Sequence, residues 1–87
     1  MRGAFGEEHS SNPEIEKLIE RARPEILKNL GHEAGVIKVL SYQKQIVAGT
    51  NYKVKANIKD KIYHIELFHE LPCNGGHVQI TEFFKDN

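Results

Sequence analysis

The chain has 87 residues, and its 12 Lys and Arg are balanced by 12 Asp and Glu, for a formal net charge of zero. A chain this short buries only about 60–65% of its unfolded surface, so clefts walled by two domains are excluded and function falls to edges, loops or one open sheet face. The balance lacks the basic excess of a nucleic-acid binder, and no apolar run approaches a membrane span. Residues 1–12 lack the hydrophobic core of a signal peptide, and the single cysteine, Cys73, cannot close an internal disulfide. The expectation is a cytoplasmic protein, although unconventional secretion would leave no mark in the sequence.

In chain order, residues 1–12 are polar, with Phe5 the one bulky apolar group, and read as a flexible N-terminal arm. Asn12-Pro13-Glu14 opens a helix, with an acceptor at the N-cap, proline at the first helical position and acid in the first turn. Ile15, Leu18, Ile19, Ala22, Ile26 and Leu30 then form one apolar stripe at helical spacing. Glu14, Glu16, Lys17, Glu20, Arg21, Arg23 and Lys28 cover the remainder, and Gly31 caps the end. Pro24 removes a backbone donor and clashes with the Glu20 carbonyl, which predicts a kink near residues 20–24.

After Gly35 the period becomes two. Tyr52 to Ile58 alternates apolar and polar residues without exception, a strand with one dry and one wet face. Residues 36–47, 62–69 and 77–84 read as three more strands, and the breaks fall at 48–51, 59–61 and 72–76. The fold class is therefore α+β: one N-terminal amphipathic helix packed across one face of a four- to five-stranded antiparallel sheet.

The chemistry-bearing residues do not assemble into an enzyme. Cys73 sits in a turn context, between Leu71-Pro72 and Asn74-Gly75-Gly76, and not at a helix N-terminus that would lower a thiol pKa. His9, His32, His64, His69 and His77 offer no metal-ligand spacing, and Asn74-Gly75-Gly76 is no phosphate loop. No catalytic residue, cofactor or metal is expected. The α-β-β-β order of double-stranded-RNA-binding domains is not completed by a second, lysine-bearing helix.

Gln45-Ile46-Val47-Ala48-Gly49-Thr50-Asn51-Tyr52 is different. An ordinary hairpin tip is polar, with a glycine supplying positive φ. Here Ile46, Val47 and Ala48 are consecutive, so at least one must project outward in any register. An exposed apolar tip on a small domain marks a binding surface. Leu71-Pro72 is a second apolar pair at a predicted hairpin end, stiffened by its proline.

These residues resemble the cystatin superfamily, and specifically its disulfide-free stefin branch. Gln45-Ile46-Val47-Ala48-Gly49 is similar to the family's Gln-x-Val-x-Gly loop. Leu71-Pro72 resembles the Leu-Pro of its second binding hairpin, Pro13-Glu14-Ile15 the start of its helix, and Gly3-Ala4 its N-terminal glycine position. The resemblance implies a single cystatin domain over 1–87 with no enzymatic activity. It also implies a reversible, competitive inhibitor whose partners are papain-like cysteine proteases of the cathepsin type. A wedge of Gly3, Ala4, Gln45, Ile46, Val47, Ala48, Gly49, Leu71 and Pro72 would fill the protease cleft. Gln45 would pin the strand end beneath the loop, and Val47-Ala48-Gly49 would occupy the cleft centre. The alternative is the same fold serving a partner other than a protease. Neither nucleic acid nor membrane is expected as a partner. A monomer is expected, and opening of the 46–50 turn would give a domain-swapped dimer with its loop buried.

Overall fold

The computed structural model describes residues 5–86. Its elements run β1 (His9–Ser10), α1 (Pro13–Arg21), α2 (Arg23–Leu30), β2 (Ile37–Val47), β3 (Gly49–Ile58), β4 (Lys61–His69) and β5 (Val78–Lys85). The five strands form one antiparallel sheet in the order β1-β2-β3-β4-β5.

The helix starts where its capping chemistry requires. Asn12 Oδ1 accepts the Ile15 N–H at 2.9 Å, while Asn12 Nδ2 donates to the Tyr42 hydroxyl at 2.8 Å and so ties the cap to β2. The predicted kink is a full break into two helices at Ala22. Pro24 has no N–H for the Glu20 carbonyl, and the Ala22 N–H is shared between the carbonyls of Leu18 and Ile19, at 3.0 and 3.1 Å. Helical bonding resumes with the Ile26 N–H on the Ala22 carbonyl at 3.0 Å. Gly31 closes α2 in a left-handed conformation, φ 80°.

The apolar stripe Ile15, Leu18, Ile19, Ala22 and Ile26 is buried against Ile37, Val39, Val54, Ala56, Ile58, Tyr63, Ile65 and Leu67. Those strand residues share one sheet face, and no polar side chain among the described residues is buried with them. The other face stays open, with Lys53, Lys55, His64, Glu66 and Phe84 around a shallow groove. Two departures from simple alternation lie on β2 and β5. The β2–β3 register shifts between Val39 and Ser41, which leaves Leu40 exposed, and the β4–β5 register shifts between Glu66 and Leu67.

Residues 6–10 differ from the flexible arm expected of 1–12. They line the outer edge of β2: His9 and Ser10 pair with Tyr42 and Ser41, and the Gly6 N–H bonds the Lys44 carbonyl at 3.0 Å. Side chains reinforce this zipper. Gln43 Nε2 donates to the Gly6 carbonyl at 2.9 Å, the Ser41 hydroxyl donates to Glu8, and the His9 ring lies 5.5 Å from that of Tyr42. An edge strand's unpaired backbone groups recruit even a polar segment when it is tethered nearby.

The β3–β4 turn is tighter than expected. Lys59 and Asp60 are its two central residues, both with positive φ (52° and 65°), and Lys61 already belongs to β4. Asn57 Oδ1 accepts the Asp60 N–H at 3.2 Å and supports this unusual pair.

Candidate functional site

Two hairpin ends meet at one end of the sheet. β2 and β3 are joined through Ala48 alone: Val47 pairs with Gly49, so the turn expected over 48–51 shrinks to a single residue and Gly49 begins β3. Thr50 in turn pairs with His69, the last residue of β4, which brings the first tip against the root of the second hairpin. The Lys59-Asp60 turn lies at the opposite end.

The first tip has a buried root and an exposed apolar crest. Ile46 is 65% exposed and Ala48 is exposed, while Val47 is half-buried and Gly49 buried. Beneath them Asn51 Nδ2 donates to Gln45 Oε1 at 3.0 Å, across the Gln45–Asn51 register pair. Gln45 is thereby held at the strand end below the loop.

Gly49 is fixed by conformation and by space. Its φ is 125°, a region L side chains rarely adopt. A β-carbon there would also meet the Phe68 ring and the His69 carbonyl oxygen within 2.8 Å.

The second hairpin carries Leu71, 39% exposed, and Pro72, also exposed, at the head of a 3-10 turn over Pro72–Asn74. The loop folds on itself. The Leu71 carbonyl accepts the N–H groups of Asn74 and Gly76 at 2.9 and 3.0 Å, and the Pro72 carbonyl accepts that of Gly75 at 3.0 Å. At the neck, Glu70 and His77 close a ring of contacts: the Glu70 N–H donates to the His77 carbonyl at 2.9 Å, and Glu70 Oε1 faces both the His77 N–H, at 3.2 Å, and Nδ1, at 3.0 Å. The His77 backbone N–H, and then its ring, hold the Glu70 carboxyl below the usual glutamate range.

Gly3 and Ala4 lie outside the described residues. From Ser10 back to Gly6 the chain runs antiparallel to β2, toward the Val47–Gly49 end. Phe5 lies over the open sheet face, its ring centroid 4.5 Å from Lys53 Nζ.

Gln45, Ile46, Val47, Ala48, Gly49, Leu71 and Pro72 are therefore gathered at one end of the sheet. Phe68, His69, Asn51, Glu70 and His77 support them and were not singled out by sequence as loop supports. Only Phe68 carried a signal, since Leu67-Phe68 is an apolar pair on a strand with one buried face. The open-face groove lies away from this end, and among the described residues no group of three or more His, Cys, Asp and Glu could hold a metal ion. Cys73 is an exposed free thiol.

A broken helix laid across a five-stranded antiparallel meander, with its hairpin ends aligned, is the cystatin-like α+β fold. Residues 5–83 match the family model described as Cystatin domain, and the chain belongs to that family. It is 28% identical over 85 residues to Cystatin-A of Homo sapiens, which spans 97% of this chain and 87% of that protein. It is 26% identical over 82 residues to Stefin-C of Bos taurus, covering 93% of this chain and 81% of that protein. It is also 29% identical over 73 residues to leukocyte cysteine proteinase inhibitor 1 of Sus scrofa, covering 83% and 71%. The relatives are of the stefin type, and the family's function is cysteine-protease inhibition, not catalysis. Among the described residues no helix is long and apolar enough to cross a membrane.

Proposed function

We propose that this chain is a reversible, competitive inhibitor of papain-like cysteine proteases, which enters the substrate cleft with Val47-Ala48-Gly49 and Leu71-Pro72. The observation that carries the reading is the pairing of a 65%-exposed Ile46 crest with a rigid, buried Gly49 root, beside a second apolar loop at the same end. An apolar crest exposed on a small domain is unfavourable in isolation and becomes favourable when a cleft covers it. Rigidity supports tight binding, because a loop already held in shape loses little entropy on docking. Gly3 and Ala4 complete the wedge in this reading, entering the non-primed side where glycine lets the backbone pass close to the cleft wall.

The inhibitor offers the catalytic thiol no scissile bond, so the complex dissociates into intact components. Its working state is a monomer in the cytoplasm. A swap through the tip would extend β2 into β3 and remove the Ala48 turn from the surface.

Titrating an active papain-like protease with the purified chain tests the proposal. Expected is stoichiometric, competitive loss of peptidase activity that returns on dilution, with the inhibitor recovered uncut. Absence of inhibition at micromolar chain would overturn it and leave the fold to a partner other than a protease.

A further inference from the structure

The internal bonds of the 70–77 loop fix its shape, and the Glu70–His77 backbone bond joins its neck to the β4–β5 ladder. Two side chains from the broken helix add a second attachment. Arg21 Nη2, in the last turn of α1, donates to the Gly76 carbonyl at 2.6 Å, and Glu25 Oε1, in the first turn of α2, accepts the Ile80 N–H at 3.2 Å. Gly76 sits at the far side of the loop carrying Leu71 and Pro72, and Ile80 lies on β5, the last strand of the sheet.

We infer that Arg21 and Glu25 are positioning residues: they clamp the second hairpin to the helix and set the pitch at which Leu71 and Pro72 are presented. The inference rests on the inhibitory reading above and adds to it the helix as an active part of the wedge.

Geometry explains why both residues are needed. Gly76 lies in the loop, two residues before β5 begins at Val78, and Ile80 lies within β5, whereas Arg21 and Glu25 stand on either side of the Ala22 break. The two side chains must therefore reach separate targets, one on the loop and one on the strand. Long side chains do this, and the Ala22 break turns α1 and α2 separately toward their targets. Pro24, the anomaly in the helix pattern, is the local cause of that break. Arg21 brings a charge to a neutral acceptor, and Glu25 brings one to a neutral donor, so each bond is charge-assisted. Loss of either frees an edge: the loop can tilt about its neck at Glu70 and His77, and the Ile80 N–H loses its acceptor.

The test has one arm that needs no protease. In Arg21→Ala, backbone amide exchange followed by NMR is expected to speed up by about tenfold at Asn74, Gly75 and Gly76, with little change at Val54 or Ile65. Arg21→Lys, which still reaches with a donor, is expected to restore much of the protection. Glu25→Ala is expected to deprotect Ile80, and Glu25→Gln, which keeps an oxygen acceptor, to retain it. Unchanged exchange at 74–76 in Arg21→Ala overturns the clamp, whatever the protease result.

The second arm measures dissociation from a papain-like protease. Arg21→Ala is expected to speed release by about five- to tenfold. Its effect should shrink when Leu71→Ala is already present and should add in full to that of Val47→Ala, since the clamp acts through one loop. Equal additivity with both would overturn a positioning role. Should the parent chain not inhibit at all, the inhibitory reading falls and the exchange arm still decides the clamp.

Discussion

A β-carbon on Gly49 would lie 2.6 Å from Phe68 Cζ and 2.7 Å from the His69 carbonyl oxygen. Gly49 belongs to the first hairpin, while Phe68 and His69 form the root of the second. One missing side chain thus lets the roots of the two hairpins share a wall across β3 and β4. The same glycine carries φ 125°, so conformation and packing demand it independently.

Gly49→Ala is accordingly expected to cost about 1–3 kcal/mol of stability by urea unfolding. Inhibition should weaken by about a hundredfold, because the tip must lift off Phe68. Adding Phe68→Ala removes the ring but not the His69 backbone oxygen, so only part of the loss should return. A Gly49→Ala chain as potent as the parent would rule out the shared-wall account.

Ile26 and Ile46 are the same side chain in opposite roles. Ile26 is fully buried between α2 and the sheet, and Ile46 is 65% exposed on the crest. Ile26→Ala is expected to cost about 2–5 kcal/mol by opening a cavity. Ile46→Thr keeps the β-branch and should change stability by no more than about 0.5 kcal/mol while weakening inhibition measurably. Thermal melts beside protease titrations separate the two, and a strongly destabilised Ile46→Thr would mean that the crest is part of the core.

What could be read in the sequence is what local chemistry decides. Pro24 announced a kink, which the structure takes further to a break, because the missing donor is a property of one residue, and Tyr52 to Ile58 announced β3 because alternation is local. The three consecutive apolar residues at 46–48 exposed the tip for the same reason. Pairings across long sequence distance were not legible. Gly6–Ser10 is polar and has no period, and it becomes a partner of β2 only because β2 presents a free edge. Arg21 looks like any solvated helix arginine until a chain segment 55 residues away places the Gly76 carbonyl within its reach. Lys59-Asp60 takes a left-handed turn without a glycine, and the Asn57 side chain that supports it is polar like many loop residues.

Arg23 and Glu20 form a two-bond ion pair at 2.9 Å on the exposed helix face, and Arg23 Nη1 also donates to the Gly35 carbonyl at 2.9 Å. The Arg23 hydrogen bonds hold the Glu20 carboxyl below its ordinary range. A depressed carboxylate contributes stability above its unfolded pKa and loses it as pH falls through the folded value. Glu20→Gln should therefore cost less than about 1 kcal/mol at neutral pH, as solvent screens the pair. The difference should close in acid, once pH has fallen through the depressed folded value. Unfolding curves at neutral and acid pH check this, and a gap that widens in acid would reverse the sign.

Glu70 gives the second loop a pH dependence of its own. The His77 backbone N–H and ring stabilise its charged form, so its folded pKa lies below the unfolded one. The neck contact is fully present above the ordinary glutamate value and is lost as pH falls through the depressed folded value. In NMR titrations the His77 amide proton should shift upfield with a midpoint below the ordinary glutamate value, as its carboxylate acceptor is neutralised. Glu70→Gln should abolish that step, so a step persisting in the variant belongs to another group. Amides at 74–76 should lose protection over the same range as the neck loosens, with dissociation from a protease faster in Glu70→Ala at neutral pH. A His77 midpoint at or above the ordinary glutamate value would show that the carboxylate does not hold the neck.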